Sequence, residues 1–177
     1  MSQVKVLDKT FEISIHQDKI LERVKKLAQQ MNEELAGKDV MFLGILNGAF
    51  MFAADLYKTI TIPAPITFLK VASYDGTTSS GKVKRLIGIN EDIANKTVVI
   101  IEDIVDTGIT LEQIIKQLKG YDPAEILVST LLFKPDSYQK NIPLDYVGFE
   151  IPPDFIVGYG LDYNGLGRNL PHIYKLV

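Results

Sequence analysis

Glu102 and Asp103 stand side by side directly after four β-branched apolar residues, Val98-Val99-Ile100-Ile101, and a third carboxylate follows at Asp106, ahead of Thr107-Gly108-Ile109-Thr110. A buried strand that runs into a helix needs one turn former and one cap, and Asp106, Thr107 and Gly108 would supply both. The adjacent acid pair is surplus to that need. Carboxylates accept hydrogen bonds from hydroxyls and coordinate hard cations, so the pair suits a hydroxyl-rich or metal-complexed ligand. Beyond the pair, backbone N–H groups and two hydroxyls converge at an expected helix N-terminus, which is the pattern of a phosphate cradle. A plain N-cap would account for Asp106 to Thr110 taken alone, but not for the acids before it. The chain has no GxxxxGK followed by Ser or Thr and no GxGxxG after a strand; GLGRNL at 165–170 lacks the third glycine.

Two further stretches carry chemistry-bearing residues. Residues 74–84, YDGTTSSGKVK, form a long polar run in mid-domain, of the kind more often used as a lid than as a simple connector, although a solvated surface connection is the plainer reading. Near the C-terminus, FIVGYGLDYNGLGRNL combines Phe155, Tyr159 and Tyr163 with Asp162 and Arg168. That set suits an aromatic base held between a stacking ring and a phosphate-binding arginine; an edge strand with a turn and a surface arginine would look the same.

The elements that must position these residues alternate. Ser14 to Leu35 reads as an amphipathic helix, with Ile20, Val24, Leu27, Met31 and Leu35 on one face, a capping box of Ser14 and Gln17, and Gly37 as its stop. Val40 to Leu46 is a short apolar run suited to a buried strand, followed by a helix over AFMFAADLYKTI. Further strands are expected at Ile66 to Ser73, at Val98 to Ile101 beyond a short LIGI segment, at Glu125 to Phe133 and at Tyr146 to Phe149, with a helix after the acidic turn ending near Gly120. This order predicts an α/β fold, a mostly parallel sheet flanked by helices, with its ligand at the carboxyl ends of the strands. No repeat, low-complexity tract or linker divides the 177 residues, so one domain over 1–177 is expected.

Composition narrows the classes. The chain is 46% hydrophobic and 23% charged, with a net charge of -3 and no Lys/Arg run, which argues against a nucleic-acid partner. No apolar run approaches a membrane span and the first residues have no signal-peptide core, so a soluble, cytoplasmic protein without membrane association is expected. Zero cysteines remove disulfides and thiolate metal sites, and His16 and His172 are too few and too far apart for a zinc site. Any metal must be hard and oxygen-bound.

The run VVIIEDIVDTGITL resembles the signature of type I phosphoribosyltransferases: apolar residues, two acids, two variable residues, Asp-Thr-Gly, one more residue and Thr. With Leu46-Asn47-Gly48, Ser73-Tyr74, TLLFKP containing Lys134, VGFEIP and FIVGYGLDY, the chain from its first helix to Arg168 is similar to the hypoxanthine-guanine branch of that family. The resemblance implies the type I phosphoribosyltransferase fold, with a small hood from the N- and C-terminal segments. It implies Mg2+-dependent transfer of phosphoribosyl from phosphoribosyl pyrophosphate to N9 of hypoxanthine or guanine, giving IMP or GMP and pyrophosphate, with no organic cofactor.

Residue by residue, the resemblance implies that Glu102 and Asp103 hold the ribose hydroxyls and a magnesium, and that Asp106 is the general base near purine N7. Thr107, Gly108, Ile109 and Thr110 would bind the 5-phosphate. Lys134 would donate to the 6-oxo group, Phe155 would stack on the purine and Ile156 would meet it through its backbone. Asp162, beside the purine, would serve a second magnesium. Leu46, Asn47 and Gly48, where the family often has a non-proline cis peptide, and Arg168 would bind pyrophosphate, and Ser73 and Tyr74 would begin the lid. Asn47 departs from the lysine frequent there, which removes a positive charge, and GLGRNL replaces a bulkier segment before Arg168. A homodimer or homotetramer is usual in proteins resembling this one. The rival from another class is a phosphoribosyl-pyrophosphate-sensing regulator that binds nucleic acid, for which a basic face or an added DNA-binding module would be expected.

Overall fold

The computed structural model describes residues 3–71, 86–87 and 90–177. Its main sheet has the order β5-β4-β3-β6-β7-β8, where β3 is Val40–Leu46, β4 Ile66–Val71, β5 Leu86–Ile87, β6 Thr97–Val105, β7 Glu125–Phe133 and β8 Tyr146–Glu150. All neighbours pair parallel except β5, which runs antiparallel to β4 at one edge. The expected mostly parallel sheet is therefore present, and the continuous apolar runs follow from burial on both faces.

Alternation along the strands assigns each face its own core. Phe42, Val99, Ile101 and Leu131 pack with α1 (Gln17–Glu34) and α2 (Phe50–Tyr57), while Met41, Leu43, Ile45, Val98, Ile100 and Val128 pack with Leu111, Ile114 and Leu118 of α3 (Ile109–Leu118). In α1 the buried residues Ile20, Val24, Leu27, Ala28 and Met31 form the expected stripe. From the same helix Arg23 donates to the carbonyls of Val147 and Gly148, covering acceptors on the edge strand β8.

A second sheet, ordered β1-β2-β10-β9, joins the chain ends: β1 (Gln3–Val6), β2 (Lys9–Ile15), β9 (Ile156–Val157) and β10 (Ile173–Leu176). This is the hood. It corrects the start of α1, because Ser14 lies in β2, where Ile15 pairs with Ile173, and the helix begins at Gln17 after His16. The N–H of Gln17 donates to Nδ1 of His172, so the capping box is replaced by a cap from the far end of the chain. Ser73, Tyr74 and the whole polar stretch 74–84 lie outside the described residues.

Candidate functional site

The strand β6 runs through the acids to Val105 instead of ending at Ile101. Its pairing with β3 stops at Gly44 and Ile101, whereas its pairing with β7 continues to Val105 and Phe133. Beyond Ile101 one side of β6 is therefore open. Glu102 and Asp103 both line the cavity that results, of about 290 Å³, although neighbouring strand positions ordinarily face opposite ways. Ile104, Val105, Asp106, Thr107, Gly108, Thr110 and Leu111 complete its lining.

Burial governs the two acids. Desolvation, and then the neighbouring Asp103 charge, hold the Glu102 carboxyl well above the ordinary glutamate range. Desolvation also pushes Asp103 up to about 6, against hydrogen bonds from backbone N–H groups and the nearby Arg168 charge. Among the described residues no side-chain hydrogen bond satisfies the Glu102 carboxylate. A buried acid that lacks a partner is costly, and the pair is fitted to a ligand that brings hydroxyl donors or a hard cation. Asp103 also lies directly against Gly48, where any side chain would overlap its carboxylate.

The turn 106–108 delivers a helix start with bare amides. Gly108 is the N-cap residue of α3, at φ 80°, and no side chain caps the helix. Of Asp106, Thr107 and Gly108, which could supply turn and cap between them, Gly108 takes the N-cap position, and Thr107 Oγ1 makes only a long contact of 3.4 Å with the N–H of Ile109. Gly108 takes the left-handed conformation that a side chain disfavours, and Tyr138 packs where its Cβ would stand. An uncapped first turn leaves N–H donors and the positive end of the helix dipole for an anion.

Lys134, just past the end of β7, is 8% exposed and reaches Oδ2 of Asp106, on the cavity wall, at 3.1 Å. Phe155 leaves almost half its surface open and rests on the rings of Phe11 and Tyr163, with Ile156 buried beside it. Arg168 pairs with Asp162 at 2.6 Å and donates to the Gly160 carbonyl at 2.7 Å. Gly160 in turn abuts the carbonyl of Gly48, in the loop whose Leu46–Asn47 peptide is cis and whose Asn47 is exposed. Glu102, Asp103 and Asp162 do not form one three-carboxylate cage, and among the described residues no group of three acids or histidines could hold a metal by itself. The donor set that remains, the buried Glu102 and the half-buried Asp103, matches a cation that keeps water and substrate oxygens as its other ligands.

Three features had no sequence signal: the Asp106–Lys134 pair, the seating of Phe155 on Phe11, and the hydrogen bond from Tyr159 to Asp55. Each joins residues remote in the chain.

Comparison with known proteins agrees with this geometry. The sequence profile of the family described as phosphoribosyl transferase domain matches residues 14–164. The hypoxanthine phosphoribosyltransferase of Escherichia coli strain K12 is 37% identical over 171 residues, covering 95% of this chain and 96% of that protein. The hypoxanthine-guanine phosphoribosyltransferase of Mycobacterium tuberculosis strain H37Rv is 38% identical over 166 residues, covering 90% of this chain and 82% of that protein. Among solved structures, a hypoxanthine phosphoribosyltransferase from Staphylococcus aureus superposes with a TM-score of 0.84 at 40% identity, covering 94% of this chain and 91% of the other.

Proposed function

We propose, because this chain belongs to the phosphoribosyl transferase family, that it is a purine-salvage enzyme that transfers phosphoribosyl reversibly from phosphoribosyl pyrophosphate to N9 of hypoxanthine, and also of guanine. The observation that carries this reading is the meeting, in one cavity, of the buried Glu102 and its neighbour Asp103, both raised by desolvation, with an uncapped helix start, and with Asp106, the partner of Lys134, at its wall. A ribose 5-phosphate presents a vicinal diol and an anion, which are the complements of those two features.

Glu102 and Asp103 accept from the ribose hydroxyls, and Thr107, Gly108, Ile109 and Thr110 hold the 5-phosphate by N–H and hydroxyl groups. The purine stacks on Phe155 and meets the backbone of Ile156, with Lys134 donating to its 6-oxo group. Asp106 takes the proton from N7 as N9 bonds to the sugar, whose departing bond leaves it with oxocarbenium character. Leu46, Asn47 and Gly48 and the Arg168 guanidinium receive the leaving pyrophosphate. Glu102 and Asp103 would hold one Mg2+ and Asp162 a second, and the metal when bound neutralises charge on the pyrophosphate. Excluding water from the sugar cation is what turns transfer, instead of hydrolysis, into the outcome.

One domain over residues 1–177, action in the cytoplasm and assembly as a homodimer or homotetramer belong to the same proposal. No helix among the described residues is long and apolar enough to cross a membrane. The test is a purine panel with Mg2+ and phosphoribosyl pyrophosphate. Hypoxanthine and guanine should give IMP and GMP with one pyrophosphate each; absence of nucleotide product, or retention of nucleic acid on a filter in its place, would favour the regulator.

A further inference from the structure

Tyr159 has no part in the roles above, yet it is among the largest fully buried side chains. Its backbone sits at φ 47°, a conformation a bulky residue adopts only when its surroundings impose it. Its hydroxyl donates to Asp55 Oδ2 at 2.6 Å, joining positions 104 apart in the chain. Burial and the Asp55 carboxylate raise its pKa far above the ordinary tyrosine range, so it stays a donor. The other Asp55 oxygen takes Lys58, whose side chain is largely exposed.

Both ends of this bond connect to the pyrophosphate side of the site. Asp55 belongs to α2, whose first turn follows Leu46-Asn47-Gly48-Ala49 without a break. The residue after Tyr159, Gly160, presses on the Gly48 carbonyl and accepts Arg168 Nη1–H on its own carbonyl. The backbone of Tyr159 is also fixed, its N–H donating to the Leu170 carbonyl at 2.7 Å.

We infer that Tyr159 is a positioning residue whose hydrogen bond to Asp55 clamps the segment 158–168 onto the loop 46–48, setting Arg168 and that loop at the spacing that receives pyrophosphate. The inference rests on the phosphoribosyl-transfer reading. Tyr159 touches no substrate and acts through Gly160, Gly48 and Arg168.

The test is the reverse reaction, with IMP and pyrophosphate varied separately. A buried hydrogen bond to a charged group is worth roughly tenfold or more in an equilibrium. Tyr159→Phe should therefore raise KM for pyrophosphate about tenfold, while KM for IMP stays within about twofold. Asp55→Ala should do the same, the double variant should be no worse than either, and Asp55→Asn, whose amide oxygen still accepts, should restore the parent value. If Tyr159→Phe fails to fold, the contrast between Asp55→Ala and Asp55→Asn decides. Loss of melting temperature and kcat with both KM values unmoved, or moved together, would overturn the clamp alone. A parent protein that turns over neither IMP with pyrophosphate nor its reverse would overturn the underlying reading, and the clamp with it.

Discussion

Lys134 Nζ lies 3.1 Å from Asp106 Oδ2, so the group proposed to recognise the purine and the group proposed to take its proton are already one ion pair in the free protein. A buried ammonium needs such a partner, and Lys134 is far more buried than Asp106. An ammonium can only donate. It matches the 6-oxo acceptor of hypoxanthine and guanine and opposes the 6-amino donor of adenine.

Adenine should therefore be a very poor substrate, since sites built on one specific hydrogen bond discriminate by roughly 10,000-fold or more. Lys134→Gln, which can donate and accept, should narrow the gap, chiefly by slowing the oxopurines. The ratio of kcat/KM for hypoxanthine to that for adenine checks this; an unchanged ratio in the variant would count against the role of Lys134.

Asp103 sets function against stability. Its carboxyl is raised from 3.8 to about 6, so between those values the folded state binds more protons than the unfolded state, and stability falls as pH rises. The penalty is complete above the folded pKa and is on the order of 3 kcal/mol, because a tenfold change in proton affinity corresponds to about 1.4 kcal/mol. Asp103→Asn should thus melt higher than the parent at pH 8, with the difference vanishing toward pH 3.5, and should bind phosphoribosyl pyrophosphate more weakly. Denaturant titrations of both proteins at the two pH values read the difference directly; a difference independent of pH would contradict the burial argument.

The exposed Asn47 offers a gain-of-affinity test. Placing a cation there adds one exposed charge pair with pyrophosphate, worth up to about 1 kcal/mol. Asn47→Lys should tighten pyrophosphate by about two- to fivefold, with the gain shrinking as salt is added. Calorimetry at low and high ionic strength would show it, and equal affinities for parent and variant at low salt would remove Asn47 from the pyrophosphate loop.

The strands that hold the site were legible because they are buried on both faces: Val40–Leu46 and Glu125–Phe133 coincide with their apolar runs. The acids were legible as chemistry for the same reason, standing where burial alone would place apolar side chains. Ser14 misled because its neighbour Ile15 is claimed by Ile173 of β10, a pairing without local signal. Which of Asp106, Thr107 and Gly108 stands at the N-cap was not legible, because it depends on the backbone of the turn, and Gly108 takes that position with no side chain capping the helix. The partners of Lys134 and Tyr159 are set by packing between elements, which periodicity does not encode.

The measurement that bears most directly on the site is single-turnover transfer to hypoxanthine by Asp106→Asn, beside equilibrium binding of phosphoribosyl pyrophosphate. General-base catalysis contributes roughly 100- to 10,000-fold. The variant should lose about that factor in the chemical step while binding phosphoribosyl pyrophosphate as the parent does. A single-turnover rate equal to the parent's would contradict the assignment of Asp106, and with it the placing of the transfer reaction in the cavity at the end of β6.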